Sequence, residues 1–137
     1  MQTVTVSRHV DAAPDAVRAL VDDLGAFMRA ADFDGVHVDG DEIRLVNQVG
    51  IARMELTLGV DRDADVALAY EQREGIFESM RTEYTVEPAD GGTTITATTE
   101  FAVDVALVGS LLDATVVKRQ RRKELEAQFD WVAETAG

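Results

Sequence analysis

Apolar and polar residues alternate with a period of two along much of the chain. The first run is Thr3–Val10, in which Val4 and Val6 fall on one face and hydroxyl side chains on the other. Such alternation is typical of a strand with one buried face. Further runs follow at Val36–Val38, Ile43–Leu45, Met54–Val60, Val66–Arg73, Met80–Val86 and Ile95–Val103. Because turn sequences such as Asp39-Gly40 and Asp90-Gly91 join them, the pattern predicts an antiparallel sheet of about seven strands.

Three segments carry apolar residues at helical spacing. Pro14 stands where a helix can begin, and the apolar positions of Val17–Leu24 predict a short helix that ends near Gly25. A second short helix is predicted around Phe27–Phe33. Leucine, valine and phenylalanine then recur at helical intervals over Leu107–Glu134. At 1.5 Å per residue this last helix is about 40 Å long, so it must lie across the sheet.

The order of elements is one strand, two short helices, six strands and a long helix. A chain of 137 residues matches one domain and buries roughly 70% of its unfolded surface. We therefore predict a single α+β domain over residues 1–137. In it a curved antiparallel sheet grips the long helix and leaves a ligand-sized cavity between them.

The net charge of −13 is unusual for a domain of this size. Aspartate outnumbers glutamate 15 to 11, and arginine outnumbers lysine 11 to 2. Molar salt shortens the screening length to about 3 Å and removes most of the resulting self-repulsion. The composition indicates a haloarchaeal-type protein of a very salty cytoplasm, with an ordinary acidic protein as the alternative. Nucleic acid and anionic lipid surfaces are poor partners for such a charge.

The sequence also indicates where the protein works. No apolar run reaches the roughly 18 residues of a membrane span, and the first ten residues lack the apolar stretch of a signal peptide. We therefore expect a cytoplasmic protein without membrane insertion. With no cysteine, neither disulfides nor thiolate metal sites can form.

The order of elements resembles that of the START-like superfamily, also called SRPBCC or the polyketide cyclase/dehydrase group. Its local carriers are Ala13-Pro14-Asp15-Ala16-Val17, the glycine-containing break in Glu71-Gln72-Arg73-Glu74-Gly75-Ile76-Phe77, and Thr98-Thr99-Glu100-Phe101 before the last helix. The resemblance implies the helix-grip fold, which is also called START/Bet v 1-like. It further implies a cavity for a lipid, sterol, polyketide, quinone or plant hormone. Because the superfamily shares a container and not a reaction, activity does not follow from the fold.

Inward-facing strand residues are the candidate lining of this cavity. Apolar walls with a few polar groups are typical of ligand pockets. The candidates are Asn47, Met54, Tyr70, Gln72, Met80, Thr82, Tyr84, Thr99 and Phe101. The alternative is that they fill a core against the helix. On the outward faces, charged residues such as Arg53, Glu55, Glu71, Arg81 and Glu83 predict a solvated ladder of ion pairs.

The long helix carries a polar interruption at Lys118–Glu124, after an apolar first half that includes Val117. Arg121 is four residues from both Val117 and Leu125, so it lies close to their buried stripe. Either the aliphatic part of its side chain extends far enough for the guanidinium to reach the protein surface, or the guanidinium projects into the cavity and holds the polar head of a ligand. Asp113 is a candidate partner or acid, with an exposed aspartate as the alternative. The basic segment also suits contact with a protein partner or a second copy.

The sequence predicts no cofactor and no metal. His9 and His37 are far apart on predicted strands, which disfavours a zinc site or a catalytic dyad. Asp61, Asp63 and Asp65 mimic the start of a calcium loop, but the glycine and the final glutamate of such a loop are missing. No glycine-rich phosphate loop is present.

Three hypotheses of function follow. The first is binding or carriage of a small hydrophobic molecule, such as a lipid, isoprenoid or polyketide-like compound. The second is a cyclase or dehydratase in which Tyr70, Tyr84, Asp113 or Arg121 polarises a carbonyl or moves a proton. The third is a protein-interaction module that uses the basic helix segment. Whether the protein is an enzyme stays open, because no catalytic constellation is recognisable.

Overall fold

The computed structural model describes residues 1–49, 51–103 and 114–136. These contain seven strands, in chain order β1 Gln2–Val10, β2 Gly35–Asp39, β3 Glu42–Val49, β4 Ala52–Val60, β5 Leu68–Gly75, β6 Phe77–Ala89 and β7 Gly92–Val103. The described helices are α1 Pro14–Asp22, α2 Leu24–Arg29 and α3 Ala114–Ala136. The predicted order of elements is confirmed. The Leu107–Asp113 part of the predicted long helix lies outside the described residues.

The strands form one antiparallel sheet in the order β1-β7-β6-β5-β4-β3-β2. Five of its six pairings join strands that follow one another in the chain, while β1 pairs with β7 at the other end of the sequence. In the β2–β3 hairpin Val36 lies opposite Leu45 and Val38 opposite Ile43, as the alternation predicts. Register shifts interrupt the β4–β5 and β6–β7 pairings. Such irregularities bend a sheet and increase its twist.

The two short helices pack against the sheet and against α3. Val17 and Val21 of α1 are fully buried, and so are Phe27 and Met28 of α2. The break between the helices falls at Asp23, whose φ of −80° and ψ of 75° leave the helical conformation. The boundary predicted near Gly25 was therefore wrong, because this glycine lies inside α2. Phe33, which was predicted to be helical, follows the end of α2.

The third helix packs on the sheet through a stripe that is only partly apolar. Its buried residues are Val117, Arg121, Glu124, Leu125, Gln128, Phe129 and Val132. They recur every three or four positions, as one face of a helix requires. Arg119, Arg122 and Lys123 are exposed. The predicted interruption of the apolar stripe at Lys118–Glu124 is therefore a change in residue type. The buried face itself continues through this segment, but charged side chains occupy it.

The outer face of the sheet carries a group of ion pairs around Arg81 of β6. Arg81 lies 3.0 Å from Asp61, 3.0 Å from Glu83 and 3.4 Å from Glu71. The contact between Arg81 and Glu71 joins two neighbouring strands, as the solvated ladder predicts, whereas Asp61 was not part of that prediction. Each exposed pair contributes at most about 1 kcal/mol to stability. In the part of the chain that the structure describes, no helix has the length and apolarity that crossing a bilayer requires.

Candidate functional site

A cavity lies between strands β3–β6 and the first turns of α3. Its wall is mostly apolar and is made by Phe33, Leu45, Met54, Leu56, Leu58, Phe77, Met80 and Val117. Its polar lining consists of Asn47, Tyr70, Gln120, Arg121 and Glu124. The unfilled space is about 490 Å³ when the open mouth is counted, but only about 20 Å³ can hold the centre of a water molecule. The cavity is therefore narrow, with room for one or two waters at most.

The polar lining is built around a buried ion pair on α3. Arg121 and Glu124 are only 6% and 4% exposed, and their spacing of three residues places them on one helix face. The Arg121 Nη1 donates to Glu124 Oε1 at 2.5 Å. The other carboxylate oxygen accepts from Asn47 Nδ2 at 2.9 Å and from Gln120 Nε2 at 3.1 Å. Glu124 is thus held by three donors from two elements of the fold.

Arg121 keeps hydrogen-bonding capacity that the described residues do not use. Its Nη2 donates to Thr82 Oγ1 at 3.3 Å, whereas its buried Nε has no hydrogen-bond partner among the described residues. Burial is the largest single effect and acts to lower the pKa of Arg121, but Glu124, Tyr70 and Tyr84 together outweigh it and raise this pKa above its ordinary value. The guanidinium therefore stays charged under all physiological conditions, and its Nε–H is a donor that no described residue uses.

A second polar chain runs behind the cavity from Tyr70 to α2. The hydroxyls of Tyr70 and Tyr84 lie 3.1 Å apart. Tyr84 donates to Gln128 Oε1 at 2.6 Å, and Gln128 Nε2 donates to the Phe27 carbonyl at 3.2 Å. Burial, followed by the effect of Tyr70, raises the pKa of Tyr84 well above its ordinary value. Tyr84 is therefore neutral, and the chain of hydrogen bonds that runs through it joins β5, β6, α3 and α2.

Three other predicted residues lie behind the lining. Thr82 donates to Thr99 across the β6–β7 pairing at 2.8 Å, which orients the oxygen that Arg121 meets. The Phe101 ring packs on Phe77, with the ring centres 5.3 Å apart. These contacts support the residues that line the cavity.

The whole sequence, residues 1–137, matches the family described as polyketide cyclase / dehydrase and lipid transport. The chain belongs to this family. The predicted membership of the START-like superfamily is thereby confirmed. No protein of curated function is significantly similar to the chain in sequence.

Solved structures confirm the helix-grip fold of this family member. A protein from Thermus thermophilus superposes with a TM-score of 0.80 at 17% identity, covering 99% of this chain and 100% of the other. A START superfamily protein from Mycobacterium smegmatis gives 0.75 at 14% identity, covering 98% and 96%. The Zhui aromatase/cyclase from Streptomyces sp. R1128 gives 0.75 at 21% identity, covering 96% and 93%. At such identities the likeness concerns the fold alone.

The structure of this polyketide cyclase/dehydrase family member brings half of the predicted site residues to the cavity. The lining includes Asn47, Met54, Tyr70, Met80, Val117 and Arg121. Thr82, Tyr84, Thr99 and Phe101 are buried behind it. Gln72 instead bonds to the backbone of Phe77, donating to its carbonyl at 2.8 Å and accepting from its amide at 3.1 Å. Asp113 lies outside the described residues.

Sequence reasoning missed several lining residues, of which Glu124 is the most informative. A signal for Glu124 existed in its position three residues after Arg121, a spacing that allows an ion pair on one helix face. Leu45, Leu56 and Leu58 alternate in phase with the predicted Asn47 and Met54, so their place in the wall was also open to prediction. Phe33, Phe77 and Gln120 gave no such signal.

Residues that resembled metal ligands are engaged elsewhere. Among the described residues, no three histidine or acidic side chains lie close enough together to hold a metal ion. A hydrogen bond from Arg81 lowers the pKa of Asp61 below its ordinary value. His9 pairs with Asp11 at 3.2 Å on the protein surface.

Proposed function

We propose that the protein binds or carries a small hydrophobic molecule, of lipid, isoprenoid or polyketide-like chemistry, in the cavity beneath α3. The observation that carries this proposal is an apolar cavity with a buried, charged Arg121 in its lining whose Nε has no partner among the described residues. Apolar walls supply affinity, and a few polar groups fix the orientation of a ligand. The polar end of the ligand would accept a hydrogen bond from Arg121.

Entry of such a ligand requires the cavity to widen, because the present space holds little more than water. Met54 and Met80 both line it. Methionine side chains are unbranched and adapt to new neighbours with small cost. We infer that these two side chains change rotamer as the ligand enters, which makes the pocket tolerant of ligand shape.

The proposal is tested by purifying the protein from its native host in molar salt and extracting it for mass spectrometry. One hydrophobic compound should be released in an amount comparable with that of the protein. The variant Val117→Phe, which fills the cavity, should lose this compound. The matched control Val38→Phe places the same bulk on β2, at a residue that does not line the cavity, and should retain it. The proposal would be contradicted if the extract contains no bound compound and the protein also fails to bind added hydrophobic probes.

A cyclase or dehydratase is the second candidate, favoured by the family description and by the presence of Tyr70 and Arg121 in the lining. Arg121 would polarise a ligand carbonyl. A general base must accept a proton from the substrate. Glu124 is poorly placed for this because its carboxylate already accepts three hydrogen bonds. This arrangement favours binding over proton transfer. Incubation with a linear poly-β-ketone tests the point: a cyclised product that Arg121→Met fails to form would establish the enzyme.

A further inference from the structure

We propose that the ligand carries an uncharged hydroxyl group at its polar end, as an alcohol or phenol does, and not a carboxylate. This inference rests on the proposed function and specifies the chemistry of the same cavity. It follows from three features of the lining: the charge balance of the ion pair, the free donor of Arg121 and the direction of the hydrogen bonds that end at Tyr70.

Charge balance disfavours an anionic ligand. Of the described residues that line the cavity, only Arg121 and Glu124 are charged, and they neutralise each other at 2.5 Å. A ligand carboxylate would bring a second negative charge beside Glu124 in a space with little water. Burying a charge without a counter-charge is costly. A neutral polar group avoids that cost and still accepts from the Arg121 Nε.

The hydrogen-bond chain behind the cavity determines whether the Tyr70 hydroxyl can donate to a ligand or only accept from it. The Phe27 carbonyl can only accept, so the side chain of Gln128 must point its NH₂ group there and its oxygen toward Tyr84. The single hydroxyl hydrogen of Tyr84 is therefore used on Gln128. Across the 3.1 Å contact between the two hydroxyls, Tyr70 must then be the donor. Because a phenol hydroxyl has only one hydrogen, and Tyr70 donates it to Tyr84, the Tyr70 oxygen can only accept a hydrogen bond from a ligand in the cavity.

The donor and the acceptor belong to neighbouring positions of the site. Tyr70 lies directly opposite Thr82 in the β5–β6 register, and Thr82 accepts a hydrogen bond from Arg121. Tyr70 and Arg121 both line the cavity. A hydroxyl group both donates and accepts, so one such group can satisfy Arg121 and Tyr70 together. A ketone or ether would satisfy only Arg121.

Four two-ring probes of similar size separate these possibilities: naphthalene, 2-methoxynaphthalene, 2-naphthol and 2-naphthoate. Binding is followed by the fluorescence of each probe in molar KCl at neutral pH. We expect 2-naphthol to bind about fivefold more tightly than 2-methoxynaphthalene, which corresponds to one net hydrogen bond. 2-Naphthoate should bind at least about tenfold more weakly than 2-naphthol. If 2-naphthoate binds the wild-type protein more tightly than 2-naphthol, the inference is wrong.

Two tyrosine variants test the direction of the hydrogen bonds. Tyr70→Phe removes the acceptor, so 2-naphthol should fall to the affinity of 2-methoxynaphthalene while the latter is unchanged. Tyr84→Phe removes the acceptor of the Tyr70 hydrogen, so Tyr70 can donate into the cavity and 2-methoxynaphthalene should gain about fivefold. Equal losses for all probes in both variants would contradict the proposed direction. The wild-type order of affinities decides the charge argument even if a variant fails to fold.

Failure of the proposed function has a different signature. If the protein binds no hydrophobic molecule, all four probes, including naphthalene, stay unbound. If it binds hydrophobic molecules without selecting a hydroxyl, naphthalene and 2-naphthol bind equally and only the further inference is lost.

Discussion

Replacing Glu124 with leucine should destabilise the protein more than any surface substitution. Arg121 would remain buried and charged, since it is 6% exposed, but without its counter-charge. Breaking a buried pair by removing one partner costs about 3–5 kcal/mol. Asn47 and Gln120 would lose their acceptor as well. Against a typical domain stability of about 5–15 kcal/mol, this loss brings the variant close to unfolding.

Removing both charges should reverse most of the loss. The double variant Arg121→Met, Glu124→Leu leaves no charge to desolvate, and well-packed apolar replacements of buried ion pairs are often neutral or stabilising by about 1–4 kcal/mol. The coupling between the two sites, obtained from a double-mutant cycle, should therefore be large. Glu126→Leu on the exposed side of the same helix is the matched control. It should change stability by no more than about 0.5 kcal/mol.

The assay is urea unfolding followed by circular dichroism in molar KCl, with linear extrapolation to zero urea. Urea is preferred to guanidinium because it adds no salt. A cost below about 1 kcal/mol for Glu124→Leu would refute the reasoning, since an exposed pair costs that much at most. A double variant as unstable as the single variant would refute it equally.

Three further predictions concern the rest of the fold. Urea midpoints should rise from low to molar KCl, because salt screens the self-repulsion of a net charge of −13; flat or falling midpoints would contradict adaptation to salt. Tyr84→Phe should cost about 1–3 kcal/mol in urea unfolding, because it leaves the buried Gln128 oxygen unpaired, and a cost near zero would show that water or another donor replaces the hydroxyl. Gly92→Ala should lower the melting temperature, because its Cβ would stand 2.4 Å from the Val10 carbonyl across the β1–β7 pairing. The control Gly35→Ala meets only ordinary contacts at 3.5 Å and should have little effect.

Local patterns were enough to predict the sheet. Its strands have one buried face, so each side chain reveals its orientation by alternation alone. On β6, for example, Met80, Thr82, Tyr84 and Val86 are all buried. The Asp90-Gly91 turn adopts positive φ angles of 47° and 78°, which its sequence favours. For the β2–β3 hairpin the register followed from alternation and the turn together, whereas the register shifts of the β4–β5 and β6–β7 pairings were not predicted.

The polar part of the site was harder to predict because its partners are distant in sequence. Asn47 meets Glu124 across 77 positions, and Thr82 meets Arg121 across 39. A sequence pattern treats arginine and glutamate as exposed by default, since they are rarely buried unless paired. Gln72 was predicted on the correct strand, but the break between β5 and β6 determines which groups its side chain contacts. There the backbone of Phe77 needs both a donor and an acceptor.

The buried face of α3 changes character along its length, and this change argues for a function. Toward its end, Leu125, Phe129 and Val132 are almost completely buried and hold the helix on the sheet. Nearer its beginning, at the cavity, a sequence selected for stability alone would place apolar residues where Arg121 and Glu124 stand. Local conflict with the rules of a stable core is expected at functional sites. The double variant should therefore keep most of its stability or gain some, while 2-methoxynaphthalene binds it no more tightly than naphthalene because the hydrogen bond from Arg121 is gone. If the double variant loses its stability as well, the ion pair serves the fold and not the ligand.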